Sequence, residues 1–503
     1  MQRKTTIPLT LKRTTPLLFF LFITIQSSFA QLFKELSQHD LEIDFEVLLK
    51  SVEAHPDPYT HISEEEFLKK AEEIKATFDQ PHTKLDFYRE AASMIALIKD
   101  GHSSVRLPEM WVNTARKEVG GFPLKVHLTN DNQLYIIKNY GTLEIPEGAK
   151  ILAINGISVD SFLNRIDPYI SYELTPFRNT LIDNSFESFL YAAFDHSAET
   201  EIEYFVEQPE KVIVENIDYR EWKKAVKENK KDREVKLSTS EPYNYEKIAE
   251  GIGLISIFAF RVPDYNSYQV FLAQTFSKIR RDEIHSLIID IRGNYGGWPK
   301  VSSGLFHYIT ENHFKTMALT SQKISDTYRN KLLELDPALP NYYFLSGGRH
   351  YLDMNALLRN PIGSFADETL VYNEPPQTEI EEFKGQTYLL TNRDSYSAAS
   401  CFASTFQCYQ MGLIIGEETG GTKIFRANPI YIELNRSGLA VGMSTSKDYT
   451  TCYGDEFEGV QPHVKYTPTI LQLISGRDTQ LDYAVYLIRK LKREAEKEAI
   501  KSH

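Results

Sequence analysis

The stretch Tyr388-Leu-Leu-Thr-Asn-Arg-Asp-Ser-Tyr-Ser-Ala-Ala-Ser-Cys-Phe402 is the most informative part of the chain. It opens as an apolar strand, breaks at Asn392-Arg393-Asp394 and continues as a helix with small residues in its first turn. A serine at the start of that helix lies beside unpaired backbone N–H groups and the positive end of the helix dipole. Such an environment suits a nucleophile and the oxyanion that it creates.

The composition is that of a globular protein with more than one domain. The chain has 503 residues, of which 42% are hydrophobic and 25% are charged. This length predicts two or three domains. The net charge of −13 argues against a surface that binds nucleic acid or an anionic membrane.

Residues 1–30 have the pattern of a secretory signal. Four cations precede the apolar run 16–25, and small residues follow as far as Ala30. The apolar run is about half of the roughly 20 residues that span a bilayer, which favours cleavage before Gln31 over an uncleaved anchor. We therefore expect export to the periplasm, the cell envelope or the extracellular space, with no transmembrane helix in the mature chain.

The three cysteines, Cys401, Cys408 and Cys452, are too few for a framework of several disulfides. Cys401 and Cys408 lie on one predicted helix, about 10 Å apart by helical rise, which is too far for a bridge. We expect the cysteines to be small buried apolar residues.

Residues 31–117 predict a helical region. Ser63-Glu-Glu-Glu66 has the form of a capping box, and a second helix is predicted from about Lys84 to Lys99. Asp100-Gly101 ends that helix, and His102 follows directly. A histidine in this position is, by itself, usually a capping or surface residue.

Residues 118–207 alternate in short runs that predict a small β module. Within it, the segment 145–159 contains an Asn-Gly turn and resembles a stretch of PDZ domains. The loop 119–124 is a candidate for binding a peptide carboxylate, although Pro123 removes one donor. Its backbone donors would be those of Gly120, Gly121 and Phe122. The alternative is a β module that only packs against its neighbour.

The segment 208–250 is polar and predicts a linker or a solvated charged helix, and an α/β core follows over 251–503. In that core the apolar strand Ser286–Ile291 runs into Arg292-Gly-Asn-Tyr-Gly-Gly297. A Gly-rich turn there lets the backbone approach a ligand closely, but it lacks the glycine spacing and the Lys-Ser/Thr pair of a nucleotide loop. The segment 311–385 is predicted to be an irregular insertion at the periphery of the site.

Several motifs, taken in this order, resemble the C-terminal-processing peptidases and their tricorn-like relatives (S41-type serine peptidases). The strongest are Asp290–Gly297, Leu390–Ala399 and Ile415–Gly421, with weaker support from Asp100–Ser103 and Glu456–Pro462. The resemblance covers most of the mature chain. It implies an α/β multidomain protein with an N-terminal helical region, a PDZ-like module and a core of β-α-β units of the ClpP/crotonase type.

The resemblance places the nucleophile at Ser397 and leaves Ser395 as the helix N-cap. The N–H of Ala398, together with that of Gly296 or Gly297, would form the oxyanion hole. Ser400 is a departure, because many members carry Glu at that position.

The resemblance allows two bases. One branch of the family has a lysine shortly after the Glu-Thr-Gly turn, but Thr422 occupies that place here and Lys423 is one residue late. The tricorn-like branch would use His102 with Glu456 to orient it. We favour His102, because histidine titrates near neutrality whereas a lysine needs strong desolvation to be neutral at pH 7.

The expected function is hydrolysis of peptide bonds in peptides or unfolded proteins, by tail processing or by degradation, without a metal or an organic cofactor. The histidines show neither HExxH nor paired CxxC spacing. The alternative is a catalytically idle protein that binds peptides or hydrophobic ligands on the same scaffold. An esterase of the α/β-hydrolase type is disfavoured, because the chain lacks a Gly-x-Ser-x-Gly motif at the nucleophile. The oligomeric state does not follow from the sequence.

Overall fold

The computed structural model describes residues 33–195, 197–228, 242–335, 360–368 and 381–501. The expected secretory signal at residues 1–30 lies outside this part of the chain. Among the described helices none is both long enough and apolar enough to cross a membrane.

The N-terminal region is mainly helical. Its elements are β1 (Glu35–Leu36), α1 (Gln38–Ser51), α2 (Glu64–Lys75), β2 (His82–Thr83), α3 (Lys84–Ala96), β3 (Ser104–Val105) and α4 (Glu109–Val119). Helix α2 starts with the expected capping box, in which Ser63 and Glu66 each accept the other's backbone N–H. Phe67, Ala71 and Ile74 face inward at helical spacing, which explains why this segment is helical.

The next module is a six-stranded antiparallel sheet with two helices, which we call the antiparallel module. Its elements are β4 (Leu124–Leu128), β5 (Leu134–Asn139), β6 (Lys150–Ile154), β7 (Ile157–Ser158), α5 (Val159–Ile166), α6 (Thr175–Phe194), β8 (Glu199–Phe205) and β9 (Pro209–Glu215), followed by α7 (Tyr219–Glu228). The strand order is β4-β5-β6-β8-β9, with β7 paired to β6. Strand β9 lies in the segment 208–250, which we predicted as a linker or a solvated charged helix. The strand was missed because one of its faces is polar.

The remaining elements build the core. They are β10 (Tyr243–Ala249), β11 (Ile252–Ile257), α8 (Tyr265–Arg281), β12 (Ser286–Asp290), α9 (Pro299–Gly304), β13 (Met317–Lys323), α10 (Asp326–Leu335), β14 (Phe365–Glu368), β15 (Gln386–Thr391), α11 (Ala398–Cys408), β16 (Leu413–Gly416), β17 (Ile424–Ala427), β18 (Ile430–Leu434), β19 (Leu439–Met443), β20 (Ser446–Thr450), β21 (Val464–Lys465), α12 (Ile470–Ile474) and α13 (Thr479–Lys501). Strand β10 also lies in the predicted linker. The predicted irregular insertion contains β13, α10 and β14, while its residues 336–359 and 369–380 lie outside the described part.

The main sheet has the order β10-β11-β12-β15-β16-β21 and is parallel except for β10. All residues of β11 and β12 are buried, because α8 and α11 pack on one face and α13 packs on the other. Strands β12 and β15 are neighbours, and the Gly-rich turn follows one while the Ser397 turn follows the other. Both turns therefore meet at the carboxyl edge of the sheet, where ligands of open α/β sheets bind.

Two smaller sheets connect the core to the N-terminal region. One has the order β14-β13-β20-β17, and the other has the order β18-β19-β3. Strand β3 pairs with β19 through Ser104 to Gly442 and Val105 to Val441. This pairing brings the residues just before β3, including His102, close to the α/β core.

Cys408 and Cys452 form a disulfide, and Cys401 is free and buried. The expectation of three unbridged cysteines is thus wrong for two of them. The bridge joins the last residue of α11, Cys408, to the segment after β20.

Candidate active site

Ser397 lies on a strained strand-to-helix turn. Its backbone has φ 57° and ψ −123°, a conformation that residues with a side chain rarely adopt. Such strain costs on the order of 1–3 kcal/mol and concentrates at functional sites. The sharp turn is the device that exposes the nucleophile in α/β-hydrolases, here without the Gly-x-Ser-x-Gly motif. In the described part of the chain the Ser397 hydroxyl has no hydrogen-bond partner.

Ser395 holds the turn together and is not the helix N-cap, contrary to expectation. Its hydroxyl donates to the Ile291 carbonyl at 3.0 Å and accepts the Asn392 N–H at 3.2 Å. The N-cap position belongs to Ser397, whose side chain makes no capping bond. Because Ser395 is fully buried and its hydroxyl makes two hydrogen bonds, it is unavailable as a nucleophile.

The Gly-rich turn and the start of α11 offer two backbone donors. The Gly296 N–H is used, because it donates to Asn294 Oδ1 at 2.8 Å. The N–H groups of Gly297 and Ala398 have no acceptor among the described residues. The geometry thus selects Gly297 over Gly296 as the second donor of an oxyanion hole.

Gly296 has a different role. A Cβ there would lie 2.8 Å from both Ala398 N and Ser397 Cβ, and its φ is +93°. The two turns can therefore touch only because this residue has no side chain.

His102 packs against the residue that precedes Ser397. Its Nδ1 lies 2.9 Å from the Tyr396 hydroxyl, and the two rings stack at 4.7 Å between centroids. Burial lowers the pKa of His102, although the charge of Asp100 opposes this effect. A neutral imidazole at pH 7 can accept a proton, as a general base must. No hydrogen bond joins His102 to Ser397 in this structure.

Asp100 fixes the loop that carries His102. Its Oδ1 accepts the His102 backbone N–H at 2.9 Å. Its Oδ2 accepts from His55 Nε2 at 3.3 Å, Ser444 Oγ at 2.6 Å and Ser103 Oγ. Burial alone would raise the pKa of Asp100, but the bond and the charge of His55 outweigh it, so the pKa is lowered and the group stays ionised.

Glu173 is a site residue that the sequence did not indicate. The Tyr396 hydroxyl lies 3.3 and 3.4 Å from its two carboxyl oxygens. Burial, reinforced by the charge of Asp100, raises the pKa of Glu173 to about 8. Asp100, His102 and Glu173 have ligand atoms within 4.8 Å of one another. A metal does not fit there well, because Asp100 already accepts four hydrogen bonds and Tyr396 bonds both other groups.

Glu456 does not contact His102. One of its oxygens lies 2.7 Å from Arg426 and 2.9 Å from Lys447, and Asp57 pairs with the same two cations. No direct contact therefore supports the predicted role of Glu456 in orienting His102.

The other predicted base, Lys423, contributes main-chain bonds. Its N–H donates to the Glu458 carbonyl and its carbonyl accepts the Thr450 N–H. The structure gives no contact between its side chain and Ser397. The Thr422 hydroxyl donates to the Ile424 carbonyl at 2.5 Å and is also occupied.

The loop predicted to bind a peptide carboxylate has most of its expected backbone donors already engaged in hydrogen bonds. The Gly121 N–H donates to the Ile217 carbonyl at 2.8 Å, and the Phe122 N–H donates to Glu187 Oε1 at 3.1 Å. Gly120 ends α4 at φ 82° with its carbonyl facing Asn216. Two of the three expected donors are thus satisfied internally.

Helix α6 of the antiparallel module packs on the Ser397 turn. The Phe177 ring stacks on the Tyr396 ring at 3.7 Å and an interplanar angle of 2°. The Thr180 hydroxyl donates to Asp394 at 2.6 Å, and Asn184 bonds to the Tyr295 hydroxyl of the Gly-rich turn. The module therefore supports both turns of the site. Glu173 belongs to no motif, and Tyr396 lies within the motif Leu390–Ala399 without a role that the motif assigns, so only tertiary contacts identify their roles.

The comparisons with known proteins concern the family and the fold of the chain. Residues 251–466 match the family model described as Peptidase family S41. Mature CPAF is similar in structure, with 14% identity, a TM-score of 0.62, and coverage of 91% of this chain and 98% of that one. Mature CPAF complexed with lactacystin has 15% identity, a TM-score of 0.58, and coverage of 91% and 99%.

The photosystem II D1 C-terminal processing protease matches with 13% identity, a TM-score of 0.41, and coverage of 87% of this chain and 98% of that one. None of the curated protein sequences matches the chain significantly. The likeness to CPAF shows a shared fold, and the family match adds the type of enzyme. Residues 251–466 of this chain therefore form a domain of peptidase family S41, a serine peptidase domain.

Proposed function

We propose that this protein is an exported serine endopeptidase in which Ser397 attacks the peptide carbonyl and His102 is the general base. The observation that carries the proposal is the backbone of Ser397, held at φ 57° where the Gly297 and Ala398 N–H groups lack acceptors. Strain of this kind needs compensation, and presenting a hydroxyl beside two free donors is a functional reason for it.

The steps follow from these groups. Ser397 Oγ attacks the carbonyl carbon while its proton passes to His102 Nε2. The Gly297 and Ala398 N–H groups donate to the oxyanion of the tetrahedral intermediate. His102 then gives the proton to the leaving amine, and water, deprotonated by the same imidazole, hydrolyses the acyl-enzyme.

We choose His102 over Lys423 as the general base because of the contacts that each side chain makes. His102 stacks on the residue next to Ser397 and is kept neutral by burial, whereas Lys423 makes no side-chain contact with the nucleophile. Reacting groups in a ligand-free enzyme are often loosely arranged and draw together on substrate binding, so the missing Ser397–His102 bond is compatible with this role.

Export is part of the proposal. The Cys408–Cys452 disulfide suits an oxidising compartment, as does the signal-like sequence of residues 1–30. Peptides or unfolded proteins are the proposed substrates, and tail processing is one form of this activity. Presentation of a peptide C-terminus by the loop 120–122 would require the Gly121 and Phe122 N–H groups to exchange partners.

A fluorophosphonate probe tests the proposal on the chain that begins at Gln31. We expect covalent labelling of the folded wild type, mapping of the label to the peptide that contains Ser397, and its loss in Ser397→Ala. The same protein should cleave casein internally, and Ser397→Ala should abolish this cleavage. A folded wild type that is neither labelled nor active would refute the enzyme and favour the idle binding protein.

Ser395→Ala is the matched control, since it removes a neighbouring hydroxyl that is bonded to Ile291 and Asn392. Label on Ser397 should persist in this variant wherever thermal melting shows that it folds. His102→Ala should lower the labelling rate by about 100-fold or more. A normal rate in His102→Ala together with a loss in Lys423→Ala would assign the lysine instead.

A further inference from the structure

We infer that Tyr396 and Glu173 position the catalytic imidazole, so that a tyrosine hydroxyl stands where a carboxylate usually contacts the histidine. This inference rests on the proposed function of Ser397 and His102. It adds two positioning residues to that site and removes the need for direct contact with Glu456.

Tyr396 is fixed from both sides. Its ring lies between those of Phe177, at 3.7 Å, and His102, at 4.7 Å. The ring is buried, and its backbone N–H donates to the Asn294 carbonyl at 3.0 Å. The hydroxyl therefore has a defined position, 2.9 Å from His102 Nδ1.

Glu173 lies behind that hydroxyl. Its carboxyl oxygens are 3.3 and 3.4 Å from Tyr396 Oη, and it also accepts the Gly101 N–H. A Cβ at Gly101 would lie 2.5 Å from Tyr396 Oη and 2.8 Å from Glu173 Oε2. The arrangement is thus close enough that only glycine fits before His102.

The directions of the hydrogen bonds follow from the donors. If Tyr396 O–H donates to Glu173, its oxygen is left to accept from His102 Nδ1–H. That bond selects the tautomer whose Nε2 is unprotonated and free to take the Ser397 proton. When the imidazole becomes charged and Glu173 is ionised, the Glu173 carboxylate stabilises the imidazolium through the intervening hydroxyl.

The other carboxylates are less suited to this task. Asp100 Oδ1 lies 3.9 Å from His102 Nδ1, and it already accepts the His102 backbone N–H. Glu456 is paired with Arg426 and Lys447. Neither makes a hydrogen bond to the imidazole within the described part of the chain.

The charge on Glu173 provides a signature. The groups that face it are Asp100, Tyr396, His102 beyond the hydroxyl, Arg426 and the Gly101 N–H. Burial and Asp100 raise the pKa of Glu173 to about 8, against the opposing effects of Gly101 and Arg426. Glu173 therefore loses its proton as the pH rises through about 8. Above that pH its carboxylate stabilises the imidazolium of His102.

The test follows the labelling rate by the fluorophosphonate as a function of pH and probe concentration. The wild-type maximal rate should rise once below pH 6.5, as His102 loses its proton, and again near pH 8. Tyr396→Phe keeps both ring contacts, so we expect a fold like the wild type and a maximal rate lower by about 100-fold. The probe concentration for half-maximal rate should not change, and the second rise should disappear.

Glu173→Gln should also lose the second rise. Because the two residues act in one chain, the double variant should be no slower than the slower single variant. Tyr388→Phe removes another buried tyrosine hydroxyl, on β15, and should leave rates and pH profile unchanged.

A labelled wild type with wild-type rates in Tyr396→Phe, or a second rise that survives in Glu173→Gln, would overturn this inference while leaving the proposed function intact. The inference would also be overturned if the fold-losses in labelling rate of the two single variants multiplied in the double variant. Failure of the wild type to label would instead refute the proposed function.

Discussion

Two residues shape the proposed active site through their backbone. Ser397 accepts a conformation that costs on the order of 1–3 kcal/mol, and Gly296 gives up a side chain so that the two turns can meet. The motif around Ser397 predicted the nucleophile, but the strain became visible only in the folded chain. Choosing between Gly296 and Gly297 also required the structure, because the Asn294 side chain occupies one of the two N–H groups.

Gly296→Ala should lower the kcat for casein cleavage by about 100-fold, the usual effect of disturbing an oxyanion-hole donor. Its Cβ would lie 2.8 Å from Ala398 N, so one turn must move away from the other. Cleavage rates measured at saturating casein and melting temperatures check this expectation.

Gly156→Ala is the control for backbone strain. It has a similar positive φ of +78°, and a Cβ there meets nothing within 4 Å. We expect a modest loss of stability and normal activity for this variant. Equal activity in the two variants would show that the close approach of Gly296 to Ser397 has no catalytic importance.

Helix α11 connects Ser397, the proposed nucleophile, at one end to the Cys408–Cys452 disulfide at the other. The bridge closes a sequence separation of 44 residues that includes β17 to β20. The chain-entropy model for a loop of this length gives a stabilisation of roughly 4 kcal/mol. The sequence did not predict this pair, because disulfide connectivity depends on distances that spacing does not reveal.

Replacing Cys408 and Cys452 together by serine should lower the free energy of unfolding by about 2–4 kcal/mol. Urea unfolding with and without a reducing agent measures the change. Reductant should destabilise the wild type and leave the double variant as it was.

Cys401→Ala is the matched control, because Cys401 is on the same helix and is unbridged. It should retain the effect of the reductant. If the reductant leaves the wild-type midpoint unchanged while thiol titration shows the bridge to be open, the bridge does not stabilise the helix.

At the level of the whole molecule, the antiparallel module contacts the Ser397 turn through a largely buried ion pair. Arg393, four residues before Ser397, bonds to Asp183 of α6 and to the Leu128 carbonyl of β4. Asp183 also accepts the Leu128 N–H at 2.7 Å. The module is therefore a structural support of the active site, whatever it binds.

Asp183→Ala should lower the free energy of unfolding by about 3–5 kcal/mol, because it leaves Arg393 buried and unpaired. It should also slow labelling of Ser397, since the turn loses one of its anchors. Chemical unfolding and labelling rates below the transition measure the two effects.

Glu201→Ala is the comparison, since it breaks the exposed Lys211–Glu201 pair of the same module. Exposed pairs are worth about 1 kcal/mol or less. A loss as small in Asp183→Ala as in Glu201→Ala would mean that the module does not support the turn.

The sequence predicted the features that depend on local pattern. The capping box of α2, the buried run of β12 and the Ser397 turn are each encoded within a few residues, so their patterns were sufficient. The polar segment 208–250 and the insertion 311–385 were read wrongly where they contain β9, β10, β13, α10 and β14. Of these elements β9, β10 and β14 are edge strands, and edge strands with one exposed face lack the apolar runs by which buried strands are recognised.

The sequence by itself determined the peptidase family domain, the nucleophile candidate and the Gly-rich turn beside it, because motifs of neighbouring residues encode strand-to-turn geometry. Only the tertiary structure decided what surrounds His102. Tyr396, Glu173 and Asp100 meet there because β3 pairs with β19 and α6 packs on the Ser397 turn. Contacts between residues so far apart in the chain depend on packing and hydrogen-bond satisfaction, which a single sequence does not display.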